Sequence, residues 1–424
     1  MNGPAPSDRP AAAAPSAPAA PPAFLTATLP GIGGVLRERP EDFRVDEVPL
    51  RRPSGAGDFA RALVEKRGIS TPELQRRIGA ALELPAAEVG VAGMKDADAV
   101  ARQWISVPWN KEHRLSASKL RQIELLEVAR DHEPLHPGMS AGNRFVIHVR
   151  GVGDETAALA RADAIVAVLA RRGVPNFFGT QRFGIRGEAA EVGRRLLKKD
   201  AIGALDLVLG APSPLEGDPR ARAFRVAYEK KAYREALASV PGRLSSETRL
   251  LEMLARGKSK GYVAGMIPPA MRRMALSAWQ ALLFNRILAR RLERLDIALQ
   301  GDLLHDGTAA RPCTDPAADQ PAVTALALHP TAPLFGERVA LADGVPGELE
   351  REVFAAAEIT PELLVRPAGM ALWGERRELR FAPSEFEVMA LPGEGSLRFS
   401  FRLPAGCFAT ALLAEVMKDV APVV

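Results

Sequence analysis

Over several short stretches in the first third of the chain, apolar residues recur at every second position, the spacing of strands with one buried face. Val35, then Phe43, Val45 and Val48 among polar neighbours, predict two extended pieces around Pro40. Further strands are predicted at 59–65, 89–92, 104–107, 123–128 and 145–149, the last alternating Phe145, Ile147 and Val149. Ser70-Thr71-Pro72-Glu73 reads as a helix start, with Ser70 as cap, Pro72 in the first turn and Glu73 completing a capping box ahead of Leu74, Ile78 and Leu82. That helix should stop near Pro85, and a longer one is predicted over 155–171. Strands with interspersed helices imply a mixed α/β (α+β) first domain rather than a bundle. After Gly173 the period becomes helical, over 192–197, 205–209, 229–240 and 274–295, whereas 307–321, rich in Ala, Pro, Asp and Thr, reads as a loop. Near the C-terminus 397–402 alternates again, 403–406 turns and 409–417 is a short helix, a unit in the style of the first domain.

Composition narrows the class. At 424 residues the chain exceeds what one core usually organises, so two domains with appendages are expected. Hydrophobic residues make up 47% and charged residues 25%, with no apolar run of spanning length, so no membrane is expected. Cys313 and Cys407 lie far apart and match no Cys-x-x-Cys spacing, which argues against a disulfide framework and a structural zinc, and fits a reducing cytoplasm. Residues 1–24 are mostly Ala and Pro, cannot bury enough to fold and lack the features of a secretion signal; a disordered tail is expected there.

The net charge of +5 is small but unevenly spread. Between Arg171 and Gln300 there are 25 Lys and Arg against 12 Asp and Glu, an excess of +13, leaving −8 for the rest. A segment this basic attracts a polyanion through counterion release, which makes nucleic acid the leading partner.

Several familiar chemistries fail on context. Gly138-Met139-Ser140-Ala141-Gly142 matches the Gly-x-Ser-x-Gly elbow of serine hydrolases, but its serine follows Pro137 in a turn and precedes a strand, where the elbow needs strand then helix. Gly257-Lys258-Ser259 resembles the end of a phosphate-binding loop, yet Glu252 stands where the first glycine belongs. His132 and His136 are four apart, but Pro134 and Pro137 forbid the helix that would aim both at one metal. Gly31, Gly33 and Gly34 precede no strand–helix unit suited to a dinucleotide. The chemistry therefore falls to ordinary side chains such as carboxylates.

Four separated segments carry a more specific pattern. They are Arg37-Glu38-Arg39-Pro40-Glu41-Asp42-Phe43; Gly93-Met94-Lys95-Asp96 running on to Trp104; Gly142-Asn143-Arg144-Phe145 with Pro175-Asn176-Phe177-Phe178-Gly179-Thr180-Gln181-Arg182-Phe183-Gly184; and Leu403-Pro404-Ala405-Gly406-Cys407-Phe408-Ala409-Thr410. In order and separation they resemble the TruD family of tRNA pseudouridine synthases. The sequence departs from the family pattern at Ala97 and Ala101, where basic and hydroxyl side chains are common, and at 187–189, which lacks a usual Asn.

The resemblance implies a mixed-sheet pseudouridine synthase catalytic domain built from 25–173 and 383–424, interrupted by a basic, helix-rich TRUD domain over 174–382 that grips RNA. It implies isomerisation of uridine to pseudouridine in tRNA, at position 13 of the D-arm, with no metal or cofactor. Asp96 would be the catalytic nucleophile and Arg37 its supporting cation, since an adjacent positive charge favours an ionised carboxylate. Phe43, Asn143, Phe145 and Phe408 would bind and enclose the base. Lys95, Gln181 and Arg182 are candidate RNA contacts. The expected partner is tRNA, met by a monomer without membrane, metal or nucleotide cofactor. A non-catalytic RNA-binding or RNA-folding protein on the same scaffold is the alternative.

Overall fold

The computed structural model describes residues 24–242 and 244–419; the predicted tail lies outside them except for Phe24. Every strand foreseen in the first third forms. Val35–Leu36 and Phe43–Pro49 flank a single turn at Pro40–Asp42, and Phe59–Arg67, Gly90–Val91, Val100–Pro108, Ile123–Asp131 and Ser140–Arg150 follow. With Ser384–Leu391 and Ser396–Pro404 they make a nine-stranded mixed sheet. Its main path runs 384–391, 396–404, 140–150, 43–49, 100–108, 59–67, 123–131. The C-terminal strand thus pairs along 140–150, from Ser396 opposite Arg150 to Pro404 opposite Gly142.

Among the described strands of this sheet, one pairing is parallel: Phe43–Pro49 with Val100–Pro108, Val45 lying opposite Ala101. Parallel neighbours require a crossover, and the chain makes it through the strand 59–67 and the helix Thr71–Leu82. Ser70 caps that helix by accepting from the Glu73 amide at 3.3 Å. The second half of the foreseen capping box differs, because the Glu73 carboxylate is taken by Arg76 and Arg77, both at 2.6 Å.

Alternation sends Phe43, Val45 and Glu47, Ala101, Gln103 and Ile105, and Asn143, Phe145 and Ile147 to one face of the sheet. Two cores cover this face. The helix Thr71–Leu82 packs Leu74, Ile78 and Leu82 on Ala60, Ala62, Ile105 and Val107. Helices Glu155–Arg172 and Ala409–Met417 pack Ile165, Leu169, Leu412 and Val416 on Phe145, Ile147, Phe399 and Phe401. The opposite face is laced with ion pairs such as Arg61–Asp131 and Arg102–Glu65.

From Ala189 to Ala356 the chain is mainly helical. The helix Pro269–Arg291 buries Leu276, Trp279, Leu283, Phe284 and Leu288 at the centre of the largest core. It crosses Ala189–Leu197 so closely that a Cβ on Gly193 would stand 2.0 Å from the Ala275 carbonyl oxygen. A four-stranded sheet of Ala310–Pro312, Leu303–His305, His329–Leu334 and Glu375–Glu378 completes this part. The chain leaves the large sheet's neighbourhood through Val174–Pro175 and returns through Arg380–Phe381, and these two short strands pair with each other, Phe381 opposite Val174.

Two sequence expectations give way here. The helix foreseen over 229–240 is two helices, Pro219–Glu229 and Tyr233–Ser239, because the backbone turns left-handed at Lys231, φ 59°. The loop foreseen over 307–321 contains the strand Ala310–Pro312 and starts the helix Pro316–Thr324. There Asp315 caps the amides of Ala317 and Ala318 and Pro316 occupies the first turn, so residues read as loop formers are a helix N-terminus.

The crossing at Gly193 leaves no room for a side chain. Gly193→Val is expected to cost on the order of 1–3 kcal/mol by overpacking and to lower the melting temperature measured by calorimetry.

Candidate active site

The parallel pair decides where the loops meet. Residues 37–42 lead into Phe43 and residues 92–99 lead into Val100, and because the two strands run the same way, both loops arrive at the same end of the sheet. There Arg37 Nη2 donates to Asp96 Oδ2 at 2.6 Å. The carboxylate is 39% exposed, enough to be reached from outside.

Each partner is held by a separate buried framework. Arg37 sits in the left-handed region, φ 60°, just past the two-residue strand Val35–Leu36, a strained conformation for a side-chain-bearing residue. The turn that follows is pinned by Asp42, which is 1% exposed and receives Arg150 through Nε at 3.0 Å and Nη2 at 2.7 Å, plus the Arg39 amide at 3.0 Å. Burial alone would raise the Asp42 carboxyl, but those donors hold it below the ordinary carboxylate range. The turn delivers Phe43 into the core, and the Arg37 guanidinium lies over its ring at 4.2 Å.

Asp96 is held through its backbone. Lys66, fully buried, directs its ammonium at the carbonyls of Ile69 and Asp96, both at 2.6 Å, and lies 3.4 Å from that of Lys95. Desolvation pushes this ammonium down to about 8, against the pull of the nearby Asp96 charge. Thr71, in the first turn of its helix, accepts from the Lys95 amide at 2.9 Å and donates to Gln103 at 3.0 Å. The Lys95 ammonium turns inward to Glu47 at 2.6 Å, with side-chain exposures of 5% and 0%. Burial raises the Glu47 carboxyl, and Lys95 opposes that rise. Lys95, expected among the RNA contacts, is therefore a tether between the loop and the sheet.

Between these loops and the C-terminal turn lies a cavity of about 350 Å³. Arg37, Phe43, Lys95, Asp96, Asn143, Phe145, Gln181 and Phe408 all line it, so the structure brings together eight of the nine residues singled out in the sequence. Arg182 lies in an adjoining cavity, where it donates to Ser277 Oγ at 2.5 Å. Phe43 and Phe145 meet edge to face with centroids 6.0 Å apart, and Phe145 rests on Phe401. Asn143 sits one alternation along from Phe145, and its carboxamide oxygen is buried without a hydrogen-bond partner. Phe408, 41% exposed, is the aromatic side chain most open to a visitor in this wall. Gly142 makes the rim possible: at φ 147° a Cβ there would fall 2.1 Å from the Leu403 carbonyl oxygen.

Other nucleophiles near the cavity are occupied or silent. Ser140 opens a strand rather than an elbow, and its hydroxyl contacts the carbonyls of Val48 at 3.2 Å and Gly142 at 3.0 Å. Burial pushes the Cys407 thiol up to about 12, so it stays protonated at neutral pH. Among the described residues there is no group of three or more His, Cys, Asp or Glu placed to hold a metal, and no helix long and apolar enough to cross a membrane.

Sequence reasoning missed Lys66, Glu47 and Arg377. The Arg377 guanidinium lies 4.3 Å from the Phe178 ring centroid and 5.9 Å from that of Phe408, and it donates to Asn176 Oδ1 at 2.6 Å and the Gly406 carbonyl at 3.2 Å. It fastens the 176–178 segment to the turn that carries Phe408. Only its position in the folded chain distinguishes it from the neighbouring arginine in Arg376-Arg377.

Comparison with known proteins identifies the family. The sequence model of the family "tRNA pseudouridine synthase D (TruD)" matches residues 23–416. The tRNA pseudouridine synthase D of Geobacter metallireducens is 40% identical over 402 residues, 94% of this chain and 98% of that one. That of Anaeromyxobacter sp. is 38% identical over 93% of this chain and 95% of its own. The crystal structure of the putative tRNA pseudouridine synthase D from Methanosarcina mazei superposes with a TM-score of 0.76 at 29% identity, covering 94% of this chain and 96% of that one. A family match over nearly the whole described length, with relatives this similar from end to end, means that the chain belongs to the TruD family of tRNA pseudouridine synthases, isomerases that modify tRNA.

Proposed function

We propose that the enzyme isomerises the uridine at position 13 in the tRNA D-arm, with Asp96 as its catalytic nucleophile. The observation that carries this reading is the Arg37–Asp96 pair at 2.6 Å on the wall of a cavity that also holds an unpartnered Asn143 oxygen. The reaction breaks the N1–C1′ bond, turns the uracil and joins its C5 to C1′; C5 loses its proton and N1 gains one, so the composition is unchanged. No electron is gained or lost, so an ionised carboxylate in a shielded site is the kind of group it needs. Arg37 aims the Asp96 carboxylate through the 2.6 Å contact. Uracil offers an N3–H donor at its polar edge, which matches the carboxamide oxygen of Asn143. Phe43 and Phe145 form the apolar floor, and Phe408 supplies an exposed ring against which the base lies.

A D-arm uridine reaches such a cavity only if its nucleotide is extruded, at a cost of a few kcal/mol. We assign the compensating grip to residues 174–382, which carry most of the basic segment and which we read as an insertion between 25–173 and 383–424; the pairing of Val174–Pro175 with Arg380–Phe381 supports that reading. Part of its charge is neutralised internally, as in Arg194 and Arg195 with Glu191, Arg225 with Glu216 and Arg291 with Asp302. Phosphate contacts fall to cations without such partners, and Gln181 and Arg182 stand where the two parts adjoin. A reducing cytoplasm fits the two free cysteines.

Asp96→Asn is expected to abolish pseudouridine formation, a loss on the order of 10⁴-fold or more in single turnover, while the tRNA dissociation constant stays within about twofold. Mapping pseudouridine in tRNA after incubation with each form checks this; a fully active Asn form would sink the assignment. Arg37→Met should retain tRNA binding and lose roughly 10²-fold in kcat.

Lys66 generates a pH prediction. Its ammonium is charged below about 8, and as pH rises through that value the loop carrying Asp96 loses its buried cation. The single-turnover rate should therefore fall on the alkaline side of about 8, whereas Lys66→Met should show a rate lowered by roughly 10- to 100-fold and no such limb. A pH profile of both forms, with melting temperatures alongside, separates this from simple unfolding.

A further inference from the structure

Behind Phe408 lies a second cavity, of about 380 Å³, slightly larger than the one at Asp96. It opens between the segment that follows Phe177 and the helix Ala409–Met417. Its walls are mainly apolar, formed by Phe178, Phe408, Ala411 and Ala414, with Gln181, Arg182 and Asp419 adding polar groups. Arg37, Gln181, Phe408 and Thr410 line both cavities, so a thin shared wall separates them.

We propose that this second cavity is a nucleobase subsite, taking a base next to the target uridine in the same RNA strand while the uridine occupies the cavity at Asp96. The proposal rests on the reading of the Asp96 cavity as the uridine site and extends it. Three observations favour a base over another occupant. The cavity adjoins the site of a polynucleotide substrate across one shared wall, so whatever fills it must be within one nucleotide's reach of the extruded uridine. Its walls join aromatic and aliphatic surface to polar side chains at Arg37, Gln181, Arg182 and Asp419, which suits a flat group with an apolar face and a hydrogen-bonding edge. A cation stands beside it: Arg182 is anchored by Ser277 at 2.5 Å and lies 5.4 Å from the Phe178 ring centroid, placed to meet the phosphate that joins two nucleotides.

In this arrangement Phe408 carries one base on each side of the wall. Unstacking the uridine then does not leave its neighbour exposed, because the enzyme replaces the lost stack with the exposed ring of Phe408, backed by Phe178. Arg377, packed against both rings, keeps them in place. The subsite would make the reaction sensitive to the identity of a flanking base that undergoes no chemistry itself.

The test compares tRNA transcripts in which the nucleotide 5′ or 3′ of the target uridine is abasic, using the wild-type enzyme and Ala414→Phe, which fills the cavity from the helix side. With wild type, one of the two abasic substrates should lose roughly 10- to 100-fold in kcat/KM, the range of one base–aromatic stack. Ala414→Phe should lose a similar factor on intact tRNA and be no slower than wild type on that abasic substrate. Wild-type rates on both abasic substrates equal to those on intact tRNA would overturn the subsite, and so would losses from the two changes that multiply independently. The wild-type comparison stands even if Ala414→Phe folds poorly, which its melting temperature reveals. If Asp96→Asn stayed active while the abasic penalty persisted, the nucleophile assignment would fall and the subsite would remain.

Discussion

One strand pairing sets the rest of the site. Phe43–Pro49 and Val100–Pro108 lie side by side and run the same way, so the loops that precede them emerge together. Reversing either strand would send its loop to the far end of the sheet, several residues' rise away, and no side chain could bridge the gap. The long crossover through Phe59–Arg67 and Thr71–Leu82 also contributes to the site, because Lys66 and Thr71 lie on it and both reach the backbone of the Asp96 loop. The connection demanded by parallel geometry and the support that holds the Asp96 loop are the same piece of chain.

That support is polar and buried, an expensive way to fix a loop. Lys66 and the Lys95–Glu47 pair are withdrawn from water, and such groups add less stability than an apolar core of equal volume. What they provide is direction. Ammonium groups aimed at backbone carbonyls set the loop's position more narrowly than apolar packing would, and a carboxylate acting on a sugar or base needs that precision. The desolvated Lys66 shows that some protein stability is spent on this placement.

The elements most legible in the sequence were those that local rules control. Strands with one buried face declared themselves by alternation, and Ser70 and the long helix 269–291 by capping and period. The segments around Arg37, Asp96, Asn143 and Phe408 were legible through their resemblance to a family, and the structure lines one cavity with all four residues. Lys66, Glu47 and Arg377 were not legible, because charged residues on a strand ordinarily face water; alternation puts Glu47 on the face of Phe43 and Val45, but only the fold brings Lys95 to it. The same limit explains the helix after Asp315: proline, aspartate and alanine mark a loop or a helix start equally well, and tertiary contacts choose. Lys95 shows that a residue next to a catalytic candidate in sequence can be taken up by a buried ion pair, here with Glu47.

The pairing of Val174–Pro175 with Arg380–Phe381 has a topological consequence. Two hundred residues of intervening chain begin and finish at points roughly 5 Å apart, the separation of adjacent strands. For the polypeptide on either side, that long excursion is equivalent to a tight reversal. Loop-closure entropy, which would otherwise penalise joining the halves of the nine-stranded sheet, is largely removed once the helical part has formed. Sheet completion by the last two strands can then proceed as if the two halves were neighbours along the chain.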